Sequence, residues 1–139
     1  MGTVSENIFD LHPRNMNRDD FEKAVARAIE EIPDEFRSKM ENVQVVVEDF
    51  PDSYTLRSIG AHSKWELLGF YEGVPVDRRS FFDIPGLPAR ITLFRRPIIR
   101  AAASPWAVVR TIREVLLHEL GHHLGFEEDA LEELEGRSE

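Results

Sequence analysis

The chain has 139 residues, of which 42% are hydrophobic and 31% are charged, as in an ordinary globular protein large enough for one core. Its formal net charge of −9 at pH 7 argues against binding to nucleic acid or to an anionic membrane. Because the sequence contains no cysteine, disulfides, iron–sulfur clusters and thiolate metal sites are excluded, and any metal must use histidine and carboxylate ligands.

The first residues are polar and irregular, and we expect residues 1–17 to form a flexible N-terminal tail. They carry neither the basic nor the apolar stretch of a signal peptide. No apolar run approaches the length that spans a membrane. We therefore expect a cytoplasmic protein. We expect a single domain over residues 18–135, because no repeat, low-complexity tract or domain boundary interrupts these residues.

Two helices are predicted at the start of the domain. Apolar residues recur at helical spacing over residues 18–32, and Asn17 is a suitable N-cap for this helix. Pro33 would end the first helix and begin a second, short one through Met40. The apolar stripe of the first helix predicts that it packs on the core.

Three short segments have the composition of β-strands. Residues 43–48 are rich in β-branched side chains, residues 65–71 are apolar and aromatic, and residues 90–95 alternate in character. Residues 54–64 give no clear pattern. The prolines and glycine of residues 74–88 predict a long ordered loop, and Pro97 would open a short helix through Ala103.

The last long helix has the clearest boundaries in the chain. Ser104 is a good N-cap, Pro105 fits the first helical position, and Gly125 can end the helix after Leu124. Its predicted apolar face contains Val109, Ile112, Leu116, Leu117, Leu120 and Leu124. The acidic residues 127–139, with two leucines, suggest a short terminal helix packed by one edge.

His118, Glu119 and His122 form the pattern H-E-x-x-H on this helix. Residues four apart are separated by about 6 Å along the helix axis and lie on nearly the same face, so both imidazoles can reach one metal ion. Glu119 points about 100° further round the helix, where it can contact a water bound to the metal. Two imidazoles, a carboxylate base and an open coordination position are what metal-assisted hydrolysis requires. The motif therefore predicts a zinc peptidase.

The two histidines lie nearly opposite the apolar face, although Ala107, Val108 and Val115 flank them. We therefore expect a partly covered cleft that is open to water. A helix can also carry two histidines four residues apart by chance, so the motif needs support from its surroundings. The capped helix start and the acids that follow the helix provide such support.

A hydrolytic zinc site commonly has three protein ligands and a water. Gly125 would let the chain reverse after the helix and bring a carboxylate back to the ion. Glu128 occupies the third-ligand position of the extended pattern H-E-x-x-H-x-x-G-x-x-(H or D), and Glu127 and Asp129 are close enough in sequence to compete. We favour Glu128 over Asp129, because a residue in a turn can be re-aimed easily.

Residues 118–128, H-E-L-G-H-H-L-G-F-E-E, resemble the metzincin-type zinc signature of the zincin metallopeptidases, with an acid in place of the usual third histidine. The chain is most similar to the minimal-zincin family of short, mostly bacterial proteins. Upstream, the resemblance includes V-V-V-E-D-F-P at residues 45–51, L-L-G-F-Y-E-G-V-P at 67–75 and L-P-A-R-I-T-L-F-R-R-P-I at 87–98, so it covers most of residues 20–135.

The resemblance implies an α+β fold of the small zincin-like type, in which a few-stranded mixed sheet packs on an N-terminal helix and on the H-E-x-x-H helix. It implies zinc (Zn2+) bound by His118, His122 and an acid near Glu128, with Glu119 as general base. The expected function is hydrolysis of a peptide or protein substrate. The alternative is a zinc-binding module without turnover, in which the metal supports folding or partner recognition.

Two details of the expected mechanism stay open at the level of sequence. A second electrophile could be Tyr71 or an arginine from residues 95–100. A peptide substrate could lie along the edge of the strand near residues 90–95 and form main-chain hydrogen bonds with it.

Overall fold

The structure is a computed structural model that describes residues 11–73 and 89–124, apart from the side chains of Lys39 and of residues 122–124. The described helices are α1 (Arg18–Glu30), α2 (Asp34–Arg37), α3 (Ser53–Ile59), α4 (Arg95–Ala101) and α5 (Pro105–Leu124), with 3-10 turns at Pro13–Asn15 and Ser38–Met40. The described strands are β1 (Val43–Glu48), β2 (Gly69–Glu72) and β3 (Ala89–Phe94).

The three strands form one mixed sheet in the order β1-β3-β2. The central strand β3 runs parallel to β1, with Val43 opposite Ala89, and antiparallel to β2, with Gly69 opposite Leu93. Its side chains are almost all buried, as is usual for a strand with neighbours on both sides. Together with the helices, this sheet confirms the predicted α+β fold.

Helices α1 and α5 pack against each other, and α5 also packs on β2 and β3. The core combines Phe21, Ala24 and Ala28 of α1 with Ile91 and Leu93 of β3 and with the apolar face of α5. Burial of these side chains, at roughly 25 cal/mol per Å² of apolar surface, is the main stabilising contribution to the fold. No helix in the described part of the chain is long and apolar enough to cross a membrane.

Most predicted helix starts are confirmed by their capping contacts. The Asn17 side chain accepts a hydrogen bond from the Asp20 N–H, while Asp20 accepts one from the Asn17 N–H, so α1 begins with a reciprocal capping box. The helix ends at Glu30, two residues before the predicted end. The chain after Pro33 forms α2 and then a 3-10 turn through Met40, as expected.

Two predicted starts are wrong. The second strand begins at Gly69 rather than Trp65, because residues 63–66 form a turn in which the Trp65 N–H donates to Ser63 Oγ and the Glu66 N–H to the Ser63 carbonyl. The predicted short helix begins at Arg95 rather than Pro97, since proline is tolerated in a first helical turn.

The unassigned residues 54–64 include α3. The Asp52 side chain caps this helix by accepting the Thr55 N–H at 2.8 Å, and Gly60 ends it with a φ of 73°.

The end of the predicted N-terminal tail packs on the core. Met16 is only 1% exposed, and the Arg95 Nη1 donates to the Met16 carbonyl at 2.9 Å. Residues 1–10 lie outside the described part of the chain, as do the predicted loop at 74–88, the helix stop at Gly125 and the predicted terminal helix. The boundary between tail and domain stays a prediction.

Candidate functional site

Helix α5 has the start and extent that its sequence predicts. The Ser104 Oγ accepts a hydrogen bond from the Ala107 N–H at 3.1 Å, and the Ser104 carbonyl accepts one from the Val108 N–H at 3.0 Å. The first bond satisfies one of the N–H groups that have no partner inside a helix, and the second is the first regular bond of the helix. The helix then continues without interruption from Pro105 to Leu124, so it carries His118, Glu119 and His122 on a rigid element.

The apolar face of α5 is buried as predicted at every position whose side chain is described, namely at Val109, Ile112, Leu116, Leu117 and Leu120. Val108 departs from the prediction, because it is fully buried in the core instead of flanking the histidines. Val115 is partly buried and packs against the edge of the core. The side of α5 that carries His118 and Glu119 is partly buried, as expected for residues in a cleft.

An open cleft of about 360 Å³ lies between α5 and residues 67–69, which lead into β2. Its walls are formed by Leu67, Leu68 and Gly69 on one side and by Thr111, Glu114, Val115, His118 and Glu119 on the other. His118 and Glu119 therefore both line the cleft, although neighbouring residues point about 100° apart round a helix.

His122 lies one helical turn after His118 on the backbone of α5, and its side chain is not described. Glu128 and its competitors Glu127 and Asp129 fall outside the described residues. Among the residues that are described, no group of three histidine or carboxylate side chains could hold a metal. The ligand set His118, His122 and Glu128 therefore stays a prediction.

Gly69 lies in the wall of the cleft, directly against Val115 of α5. A Cβ atom added to this residue would lie 2.4 Å from Val115 Cγ1 and 3.3 Å from the Thr92 carbonyl oxygen, and a contact as short as the first requires atoms to move. Because Gly69 has no side chain, the backbone of β2 can approach α5 closely. The strand and the helix are thus in direct contact beside His118 and Glu119.

The lining of the cleft is acidic. Its described residues include Glu114, Glu119 and His118, but neither lysine nor arginine. Glu114 has no ion-pair or hydrogen-bond partner within residues 11–73 and 89–124. The sequence interpretation missed Glu114 and Thr111, although their spacing of four and seven residues from His118 places them on the same helical face.

The expected place for a substrate strand is wrong, because β3 lies in the middle of the sheet and both of its edges are occupied by β1 and β2. In the described part of the sheet, the unpaired edge next to the cleft belongs to β2. The arginines expected as electrophiles lie elsewhere, since Arg95, Arg96 and Arg100 line a separate cavity. Tyr71 is in β2, with its hydroxyl near Gly73, and is not in the lining of the cleft.

The family model of zincin-like metallopeptidases matches residues 40–137, which is well over half of the chain. The chain belongs to this family. The match begins after α2 and includes the whole sheet, the cleft and α5. A search of curated proteins found no match.

Family membership confirms the resemblance seen in the sequence and the zincin-like fold that it implied. The zincin-like region contains both walls of the cleft, so His118, Glu119 and the start of β2 all belong to the matched segment. Helix α1 precedes the matched segment and contributes to the same core.

Proposed function

We propose that this protein is a zinc-dependent peptidase that hydrolyses peptide bonds in the cleft between α5 and β2. The observation that carries the proposal is the placement of the His118 imidazole and the Glu119 carboxylate in one open cleft of a zincin-like metallopeptidase. An imidazole suited to bind a metal and a neighbouring carboxylate suited to accept a proton are the two groups that such a reaction requires at minimum.

The residues available near the cleft fit a zinc ion. Zinc in hydrolytic sites is bound by histidine nitrogens and carboxylate oxygens, and the chain has no cysteine that would favour another kind of site. His118 would be one ligand, and His122 would be the second, about 6 Å further along the same uninterrupted helix. Glu128 is proposed as the third ligand, with Asp129 or Glu127 as alternatives. When bound, zinc supplies Lewis-acid activation of a water and of the substrate carbonyl.

Glu119 is proposed as the general base. Its carboxylate lines the cleft next to His118 and is partly buried, so it can hold a proton away from bulk water. It would accept the proton of the attacking water and then donate that proton to the nitrogen of the leaving amine. Because one group performs both transfers, replacement of Glu119 should block the reaction at its first step.

The substrate would bind as an extended peptide along β2. This strand has an unpaired edge in the described part of the sheet, and an added strand would form main-chain hydrogen bonds there. Residues 67–69 form the wall of the cleft just before β2, so a peptide in this position would pass in front of His118 and Glu119.

The test is the variant Glu119→Gln, which keeps the size and the hydrogen-bonding capacity of the side chain but cannot accept a proton. We expect an unchanged zinc content and a decrease in kcat/KM of about 10²- to 10⁴-fold, which is the usual contribution of general acid–base catalysis. Zinc is measured by elemental analysis of protein purified without a histidine tag, and cleavage is measured on a peptide library. Glu48→Gln is the matched control, because Glu48 is exposed at the end of β1.

Full turnover by Glu119→Gln would show that the assignment of the base is wrong. Zinc bound by the unaltered protein without cleavage of any peptide would instead favour a non-catalytic zinc-binding module. Protein that binds no zinc at all would contradict both functions.

A further inference from the structure

A second cavity, of about 310 Å³, lies apart from the cleft, between α4 and the chain around the first 3-10 turn. Its polar lining consists of His12, Arg14, Arg95, Arg96 and Arg100, and Trp65 forms one wall. In the described part of the chain, none of the residues that line it is acidic. We call it the arginine cavity. Four guanidinium groups around one cavity are unexpected in a chain whose net charge is −9.

Arg100 is held in place by an aromatic ring. Its guanidinium carbon lies 4.6 Å from the centre of the Trp65 ring, and Trp65 is itself fixed by an edge contact with Phe50 at 4.9 Å. A guanidinium stacked on a ring keeps its N–H groups available, because they point outward in its own plane. Part of the entropy cost of ordering Arg100 has thus been met before any ligand arrives.

Arg95 is fixed by two hydrogen bonds. Its Nε donates to Asp49 Oδ1 at 2.9 Å, its Nη1 donates to the Met16 carbonyl at 2.9 Å, and its side chain is only 13% exposed. The hydrogen bond from Arg95 is the largest cause that lowers the pKa of Asp49, and the charges of Arg95, Arg96 and Arg18 lower it further. Several arginines near the cavity thus stabilise the charged form of this carboxylate.

The remaining polar groups have unused donors. Within the described residues, the guanidinium groups of Arg14 and Arg96 form neither ion pairs nor hydrogen bonds. The His12 Nδ1 accepts a hydrogen bond from the backbone N–H of Arg14 at 3.2 Å. The neutral imidazole therefore has its proton on Nε2, which can donate to a ligand. Asp49 is the one carboxylate that pairs with any of the four arginines in this part of the structure.

We propose that the arginine cavity binds a phosphate monoester. Several guanidinium groups around one space match a multiply charged oxyanion better than a single carboxylate, because planar arginine forks bind phosphate oxygens with two parallel hydrogen bonds. The cavity is larger than a phosphate group, and Trp65 and Ile99 provide apolar walls for the organic group that the phosphate carries. This site is independent of the hydrolysis proposed for the cleft.

The test uses the fluorescence of Trp65. The chain has two tryptophans, and Trp106→Phe removes the other one while keeping an aromatic ring at that position. This variant is titrated with inorganic phosphate, phenyl phosphate and acetate at constant ionic strength. We expect saturable changes with both phosphates, tighter binding of phenyl phosphate because of the apolar walls, and no saturation with acetate.

Substitutions connect the binding to the cavity. Arg96→Gln and Arg100→Gln should each raise the Kd for phenyl phosphate about tenfold, since each removes a charge-assisted hydrogen bond. Arg57→Gln on α3 is the matched control and should leave the Kd unchanged, because Arg57 is exposed and outside the cavity. The increase in the free energy of unfolding that the ligand causes gives a second measurement of Kd, and this measurement does not depend on the environment of Trp65.

The proposal is overturned if neither phosphate saturates at millimolar concentrations, or if Arg57→Gln weakens binding as much as Arg96→Gln does. Arg96 is exposed and makes no described side-chain contact, so its replacement tests the site even if loss of Arg100 disturbs folding. Equal affinity for inorganic and phenyl phosphate would contradict the part assigned to the apolar walls and would identify free phosphate as the ligand.

Discussion

Glu114 lies one helical turn before His118, and both side chains face the same cleft. A substrate side chain that enters the cleft would therefore meet the carboxylates of Glu114 and Glu119. Among the residues that the structure describes, the lining offers no lysine or arginine to balance them. Glu119 is reserved for proton transfer in the proposed mechanism, which leaves Glu114 as the residue that can select the charge of the substrate. A basic side chain next to the scissile bond is the complementary choice.

If the protein is a peptidase, Glu114→Gln should lower kcat/KM for peptides with lysine near the scissile bond by about tenfold, because a charge-assisted interaction is lost. Peptides with norleucine at that position should be cleaved at nearly the original rate, since norleucine has no charge to pair. The ratio of the two kcat/KM values is the measurement. An equal decrease for both peptides would show that Glu114 supports the fold or the metal rather than the specificity.

Strand β2 and helix α5 are in direct contact beside the cleft. This contact depends on the absence of a side chain at Gly69, because Val115 already occupies the space. Valine on a helix has one strongly preferred rotamer and cannot rotate away easily. The separation of the strand from the helix, and hence the width of the cleft, is therefore sensitive to a single methyl group.

Gly69→Ala should reduce the free energy of unfolding by about 1–3 kcal/mol, the usual cost of overpacking. In the variant Gly69→Ala with Val115→Ala, most of this cost should disappear, because the second substitution removes the clashing Cγ1 atom. Urea denaturation of the two single variants and the double variant measures the coupling between these sites. If the changes in unfolding free energy of the two single variants add up to that of the double variant, the strand moves away as a whole and the added methyl group does not clash with Val115.

Elements whose ends are marked by capping residues or proline and whose apolar residues are periodic could be predicted from the sequence, and the others could not. Helix α5 runs from Pro105 to Leu124 as expected, because Ser104 and Pro105 mark its start unambiguously. Helix α3 was not predicted, since it has no buried residue and so no apolar periodicity, although Asp52 provides a cap. The start of β2 was placed too early because Trp65 has strand-like composition but lies in a turn stabilised by Ser63.

The candidate site shows the same division. The joint placement of His118 and Glu119 follows from a local motif on one helix, and the structure brings both into the cleft. The role of Glu114 depends on the opposite wall at residues 67–69, which lies more than forty residues away in sequence and could not be inferred from the helix alone. The strand edge for the substrate was misplaced because sequence order does not reveal that β3 is central.

At the scale of the whole molecule, one partly buried ion pair joins the end of α1 to α5. The Arg113 Nη1 on α5 donates to Glu31 Oε1 at 2.9 Å, at the end of α1 and 82 residues away in sequence. The Arg113 side chain is 8% exposed, and its Nε has no hydrogen-bond partner in the described structure. Glu31 also pairs with Arg27 on the surface. The largely buried charge of Arg113 is thus compensated by one carboxylate of the described chain, that of Glu31.

Glu31→Ala should lower the free energy of unfolding by about 2 kcal/mol. This is less than the roughly 3–5 kcal/mol lost when a fully buried pair is broken, because Glu31 is partly exposed. Arg113→Met should cost less, since it removes the buried charge and keeps the apolar packing. Chemical denaturation of each variant and of the double variant is the measurement.

Arg27→Ala serves as the control and should cost about 1 kcal/mol, because it removes an exposed ion pair and the contact of the Arg27 guanidinium with the exposed Trp106 ring. If Arg113→Met is as destabilising as Glu31→Ala, the guanidinium itself contributes net stability, and the expected asymmetry between the two partners is wrong.

Helix α5 packs on α1, β2 and β3, and all three precede it in the chain. During synthesis they therefore leave the ribosome before the helix that covers them. Until α5 follows, core residues such as Phe21 and Leu93 lack its apolar face, and apolar surface exposed in this way is prone to aggregation. Contacts between such distant segments also slow folding. His118 and Glu119 therefore enter a formed cleft only after α5 has packed on these elements, so the proposed hydrolysis would depend on this contact.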